Sequence, residues 1–283
     1  MKQIDCEPLV PLVMHHRYAI RGDVHGNARE LVRWCEANKD YSALIILGDF
    51  GMNYYLDGSE NRKKKWLQET DMLFYVVRGN HEERPENVPG MELWYDAAVS
   101  NFIYVEPKYP NIRYLVDGYI YKFNDYHALV LGGAYSVDKW WRLRAGGDAK
   151  WFASEQLTDE EKALIQEECA GEWVDFVFSH TCPYSVMPRD LFLNSVDQQT
   201  VDNSMEFWLE ELSKQIRFTV WLFGHFHQDR VEAPYYEMFF KEAVNLDEIL
   251  DRWDTFSLSG ELPWYIPVSP SMERLLKANK NTV

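Results

Sequence analysis

An α/β fold is what the sequence predicts: two packed sheets with helices outside them, in a single domain. Three observations predict it. Apolar runs of strand length recur and end in polar clusters, segments with helical character alternate with them, and one turn-rich β stretch interrupts the alternation. The strand-length runs come in order along the chain. Tyr18–Ile20 precedes Arg21-Gly22-Asp23, Ala43–Leu47 precedes Gly48-Asp49, and Met72–Val77 precedes Arg78-Gly79-Asn80-His81. Val174–Phe178 then precedes Ser179-His180, and Phe218–Phe223 precedes Gly224-His225. Ligands of α/β sheets bind beyond the carboxyl ends of strands, so these five strands are expected to feed one rim.

Helices are expected over Asn27–Ala37, Asn61–Asp71, Asp159–Ala170 and Ser204–Gln215. Thr158 and Glu161 form a capping box that marks the start of the third. Between Ile112 and Leu131, the turn residues Val116-Asp117-Gly118-Tyr119 and Asn124-Asp125 punctuate β-rich runs and read as a hairpin or meander. A further short β region is expected from Arg230 to Phe240. The single domain is expected to span residues 1–283, with its core motifs within 17–240 and a loosely ordered polar tail after Pro270.

Composition narrows the function classes. Hydrophobic residues form 46% of the 283, with 11 Trp, which is enough for a sizeable buried core. The net charge of −16, from 45 acidic against 29 basic side chains, makes nucleic acid an unfavourable partner. Cys6, Cys35, Cys169 and Cys182 are scattered with no C-x-x-C pair, as suits reduced thiols in a cytoplasmic protein. Pro8 and Pro11 break up the short N-terminal apolar stretch, so no signal peptide is expected. No run of 18 apolar residues suggests a membrane span.

The rim clusters are Asp23-Val24-His25, Gly48-Asp49, Gly79-Asn80-His81-Glu82, Ser179-His180 and Gly224-His225-Phe226-His227, and they hold five motif positions rich in metal-ligand types. On extended backbone, residues i and i+2 point the same way, so Asp23 with His25, and His225 with His227, are each expected to grip one site. Carboxylate, imidazole and amide oxygen without thiolate suit manganese, iron or zinc outside a structural cysteine site. The ligands are too many for one ion, and the pattern reads as a two-metal centre. Gly22, Gly26, Gly48, Gly79 and Gly224 are expected to let the strand ends turn sharply around it.

These ordered motifs, D-x-H, G-D, G-N-H-E, a lone H and G-H-x-H, resemble those of the calcineurin-like metallophosphoesterases, over about three-quarters of the chain. The resemblance implies a four-layer αββα sandwich of two mixed sheets flanked by helices. It implies two divalent ions, manganese favoured, with Asp23, His25 and His227 on one, Asn80, His180 and His225 on the other, and Asp49 bridging. It also implies that His81 protonates the leaving oxygen while a metal-bridging hydroxide attacks phosphorus in line. The Gly22–Gly26 and Arg78–Glu82 segments look like the serine/threonine phosphoprotein phosphatases in particular. That branch carries Asp-Arg-Gly after its second motif, where this chain has Phe50, Gly51, Met52 and Asn53.

A phosphate clamp must then come from elsewhere. Lys139, Arg142 and Arg144, after the strand-like Leu131-Gly132-Gly133, and Arg78 and Arg189, beside metal motifs, are the candidates. The expected substrate is a phosphorylated small molecule or a phosphopeptide, hydrolysed as a phosphomonoester. A phosphodiesterase or nuclease on the same site is the alternative, and a non-catalytic interaction module is a third reading. His15, His16 and His127 match no motif and read as surface or satisfied core residues. Lys63-Lys64-Lys65 reads as a solvated helix face, Trp140-Trp141 as core or substrate wall, and Cys182 as no nucleophile.

Overall fold

The computed structural model of the chain describes residues 16–263 and 265–280. Three parallel strands, β1 (Tyr18–Arg21), β2 (Ala43–Leu47) and β3 (Leu73–Val77), lead the first sheet, with α1 (Ala28–Ala37) and α2 (Asn61–Gln68) between them. A hairpin of β4 (Glu92–Asp96) and β5 (Asn101–Val105) extends this sheet through β6 (Ile112–Leu115). The second sheet begins with the antiparallel pair β7 (Ile120–Phe123) and β8 (Tyr126–Leu131). After α3 (Lys139–Ala145) and α4 (Asp159–Cys169) it gains β9 (Trp173–Ser179), and after α5 (Ser204–Ser213) it gains β10 (Arg217–Phe223). The edge is β11 (Arg230–Ala233) and β12 (Tyr236–Met238). A short β13 (Val244–Asn245) returns to β1, and α6 (Leu246–Ser259) and α7 (Pro270–Lys280) follow.

The sheets order as β13-β1-β2-β3-β6-β5-β4 and β11-β12-β10-β9-β8-β7. Both central parallel blocks are buried on both faces, which explains their unbroken apolar runs. Ile20, Ile45 and Val77 face Phe123, Val130 and Phe178 in the core between the sheets. Alternate residues point outward: Leu44, Ile46 and Val76 meet Leu31 of α1 and Leu67 of α2. Leu129, Val177 and Trp221 meet Ile165 of α4 and Leu209 of α5 on the other side. The result is a four-layer αββα sandwich. Each layer follows from the period-2 alternation of a strand set against the 3.6-residue stripe of a helix.

The Thr158–Glu161 capping box forms in both directions. Asn124-Asp125 turns a true hairpin, whereas Val116–Tyr119 carries the chain from the first sheet to the second, so the expected meander is instead a crossover. The tail after Pro270, expected to be loose, is helix α7. Its Met272 is buried in the core, and the Ser269 hydroxyl accepts the Met272 N–H at its start. Burial of one apolar stripe outweighs the polar average of the segment. Lys64 also departs from the solvated reading: it is buried, with Nζ donating to Asn53 Oδ1 (3.1 Å) and Glu106 Oε2 (2.7 Å). Lys65 is exposed as expected. Cys35, Cys169 and Cys182 are free and buried, and Cys6 and His15 lie outside the described residues. Among the described residues no helix is long and apolar enough to cross a membrane.

Candidate metal centre

Register delivers the site. Arg21 stands beside Ile46 and Leu47 beside Val77 in one sheet, while Leu131 and Phe223 both stand beside Ser179 in the other. The loops that follow these residues therefore leave the sandwich at one rim, carrying Asp23, His25, Asp49, Asn80, His81, His180, His225 and His227. The first two loops are tied together, since the Val24 and His25 N–H groups both donate to the Asp49 carbonyl (3.1 and 2.7 Å).

The ligand-bearing backbone is not extended there. His25, Asp49, His225 and His227 all take positive φ, at 48°, 48°, 67° and 57°, a region that costs a residue with a Cβ and persists where the surroundings enforce it. This corrects the i, i+2 expectation for His225 and His227, whereas Asp23 and His25 do come to one group. His225 and His227 diverge: His227 Nε2 lies 2.9 Å from His25 Nε2 and 3.1 Å from Asp23 Oδ2, while the His225 ring meets that of His180 at 5.0 Å. The glycines act mainly through space. A Cβ on Gly48 would lie 2.0 Å from His180 Nδ1, and one on Gly79 would lie 2.1 Å from Asp49 N and Oδ1, so only glycine lets these ligands close up.

Two overlapping groups offer ligand atoms within 4.8 Å of one another: Asp23, His25 and His227, and Asp23, Asp49 and His180. Asn80 joins the second, with Oδ1 2.8 Å from His180 Nε2. Its Nδ2 donates to Ser136 Oγ (2.8 Å), which fixes the amide so that its oxygen faces the centre. His180 Nδ1 donates to the Leu47 carbonyl (2.7 Å), leaving Nε2 as the ligand atom. The Asp49 carboxylate spans both sides, with Oδ1 3.6 Å from His180 Nε2 and Oδ2 3.8 Å from His25 Nδ1. Its Oδ2 is buried with no hydrogen-bond partner, the situation that a bound cation resolves.

Electrostatics favour ligation. Burial acts to raise the Asp49 carboxyl, but the His81, His180 and His25 rings outweigh it and hold it well below the usual carboxylate range. Burial and the neighbouring His180 push His225 down to about 3, so its imidazole is neutral and has a lone pair to give. His227 is raised, first by its hydrogen bond to Asp23. Donors of this kind, carboxylate, amide oxygen and imidazole without thiolate, fit a divalent ion of the manganese, iron or zinc type.

Glu82 is a residue whose role the motif alone does not give. It is buried, its carboxylate accepts the N–H groups of Phe50 (3.2 Å), Gly51 (3.3 Å) and Gly79 (3.4 Å), and it locks the Asp49 loop to the Asn80 loop. Ser136 likewise carried no signal beyond its place after a strand end.

The candidate clamps separate clearly. Arg78 is buried, and its guanidinium is spent on structure: Nε donates to Asp117 (3.0 Å), Nη1 to the Ser154 and Glu155 carbonyls (3.3 and 2.9 Å) and Nη2 to the Gly132 carbonyl (3.2 Å). It is therefore no phosphate ligand. Its loss leaves the Asp117 carboxylate without its counter-charge, and Arg78→Ala is expected to cost about 3–5 kcal/mol and lower Tm by on the order of 10 °C. Unchanged melting together with lost monoester turnover would return Arg78 to the substrate site. Arg144 is exposed, with Nε on the Trp140 carbonyl, and Lys139 lies over the Trp151 ring at 4.2 Å. Arg189 turns back onto the Tyr184 ring. Arg142 is the candidate whose charge bears on the centre. Nε donates to Asp138 (2.7 Å) and Nη1 to the Tyr54 hydroxyl (2.9 Å), and its charge bears on both His81 and Asp49.

Trp140 and Trp141, read as core or substrate wall, are both exposed on α3. His127 is exposed near Asp175, and the His16 backbone pairs with Asn124. Burial and the nearby Glu206 push the Cys182 thiol well above its ordinary value, so it offers no thiolate.

No curated protein matches the chain significantly. The family model of the calcineurin-like phosphoesterases matches residues 16–229 and takes in every rim motif described above. The chain thus belongs to the calcineurin-like phosphoesterases, a family of divalent-metal-dependent phosphoesterases.

Proposed function

We propose that the chain hydrolyses phosphomonoesters with two divalent ions, manganese favoured. Asp23, His25 and His227 would hold one ion and Asn80, His180 and His225 the other, with Asp49 between them. The observation that carries the dinuclear reading is the Asp49 carboxylate, whose oxygens face opposite histidines while Oδ2 is buried and unpartnered. When bound, such ions supply Lewis acidity toward the phosphoryl oxygens and a nucleophile derived from water.

His81 would hold and deliver the proton. Its backbone N–H donates to Asp49 Oδ1 (2.8 Å), its ring Nε2 lies 4.0 Å from Asp49 Oδ2, and its side chain is 21% exposed, open to a leaving oxygen. Burial lowers its pKa, while Asp49 and Asp138 oppose that, and a phosphate dianion beside it would act in the same sense as those carboxylates. Arg142 supports the developing charge on phosphate in place of the absent Asp-Arg-Gly arginine.

A monoester needs only this centre and one cation. A nuclease must neutralise several backbone phosphates, which the −16 charge disfavours. The test is kcat/KM for matched aryl monoester and diester substrates with Mn²⁺ at two salt concentrations. A monoester preference is expected, with Arg142→Ala lowering monoester turnover by roughly 10²–10³-fold. A clear diester preference, or steeply salt-dependent cleavage of DNA, would overturn the reading in favour of the phosphodiesterase.

A further inference from the structure

The metal centre opens on a cavity of about 300 Å³ whose far wall offers no cation to a second anionic group among the described residues. Asn80, His81 and His225 line one side. The other is made by Met187, Leu191, Phe192, Val196, Val201 and Phe226, most of them from the segment between β9 and α5. The Phe192 and Phe226 rings stack at 6.5 Å, and no Lys or Arg is among the described lining residues. Besides Asp49 and Asp138, a third carboxylate lines this space. Glu206 is 3% exposed; its Oε1 accepts the Thr181 hydroxyl (2.8 Å), and its Oε2 has no hydrogen-bond partner. Thr181 follows His180, so Glu206 joins the cavity beside the metal ligands.

We infer that the cavity takes the alcohol half of the phosphoester, and that this half is an apolar chain or ring carrying one hydrogen-bond donor for Glu206. An apolar wall favours substrates by the area it removes from water. A buried unpaired carboxylate oxygen costs free energy until a donor meets it, and a site of that kind discriminates strongly against analogues without the donor. Tyr135, Asp138, Gln198 and Asn203 also line the cavity and can meet single polar groups, whereas a second anionic group finds no cation among the described lining residues. The inference rests on the phosphomonoesterase reading, which supplies the phosphate end of the substrate.

The experiment uses the full chain with Mn²⁺ and n-alkyl phosphates from ethyl to octyl. kcat/KM is expected to rise roughly fourfold per methylene until the cavity fills. Leu191→Asp and Val196→Asp should bring the octyl-to-ethyl ratio toward one. Chains of four to eight carbons ending in a hydroxyl or an ammonium group identify the donor: one of them should exceed the plain chain by at least about tenfold, and Glu206→Leu should abolish that preference. A flat chain-length series, or no donor that improves on the plain chain, overturns the inference. If no monoester is turned over, the monoesterase reading fails by itself, and calorimetric titration of alkylphosphonates then reads the cavity alone. Affinity graded with chain length would uphold the cavity's role, and flat affinity would end it.

Discussion

Replacing Asp49 with alanine is expected to strip metal from both sides of the centre and to lower phosphomonoester turnover by at least about 10³-fold, the worth of several kcal/mol of transition-state stabilisation. The reason lies in position and charge together. Asp49 is 1% exposed, reaches toward His25 with one oxygen and toward His180 with the other, and among the described residues shares the ligand groups with one other carboxylate, Asp23. Two divalent ions held close repel each other, and a carboxylate between them offsets part of that repulsion. Its removal would also leave the His81 N–H without its acceptor. Elemental analysis of the purified variant checks the metal claim separately from activity. Two tightly bound ions per chain in Asp49→Ala would show that another group bridges, and Asp23, common to both ligand groups, would be the first to examine.

The second large effect is expected at His81. His81→Ala should keep its metal, because His81 belongs to neither ligand group, yet lose roughly 10²–10⁴-fold in turnover, the usual worth of a positioned general acid. The loss should depend on the leaving group. An alkoxide must be protonated as it departs, whereas a nitrophenolate leaves with little help, so the variant's deficit on alkyl phosphates should greatly exceed that on nitrophenyl phosphate. Equal deficits on both, with metal retained, would assign His81 to orienting Asp49 through its backbone and ring, and would remove the proton from its role.

The sequence by itself determined the five rim strands, the helices α1, α2, α4 and α5, and the identity of the rim, but not the β4–β5 hairpin or α6. Apolar runs that end in Asp-x-His, Gly-Asp, Gly-Asn-His and Gly-His are short-range features, and the burial of both sheet faces prints them directly onto the residue order. The Thr158 cap was legible for the same reason, since it is closed within four residues.

What only the tertiary structure decided depends on contacts far apart in the chain. The family resemblance implies that His227 sides with Asp23 and His225 with His180, but the positive φ values that accompany this division arise among neighbouring loops, and no local periodicity reveals them. How an arginine is held is equally non-local: Arg78 sits beside the metal motif yet is consumed by Asp117 and carbonyls up to 77 residues away, while Arg142 is held by Tyr54, 88 residues away in the chain, with its charge bearing on His81 and Asp49. The orphaned Oε2 of Glu206 is likewise invisible in a helix that reads as ordinary and amphipathic, because an unsatisfied buried atom is defined by everything around it and by nothing in its own sequence neighbourhood.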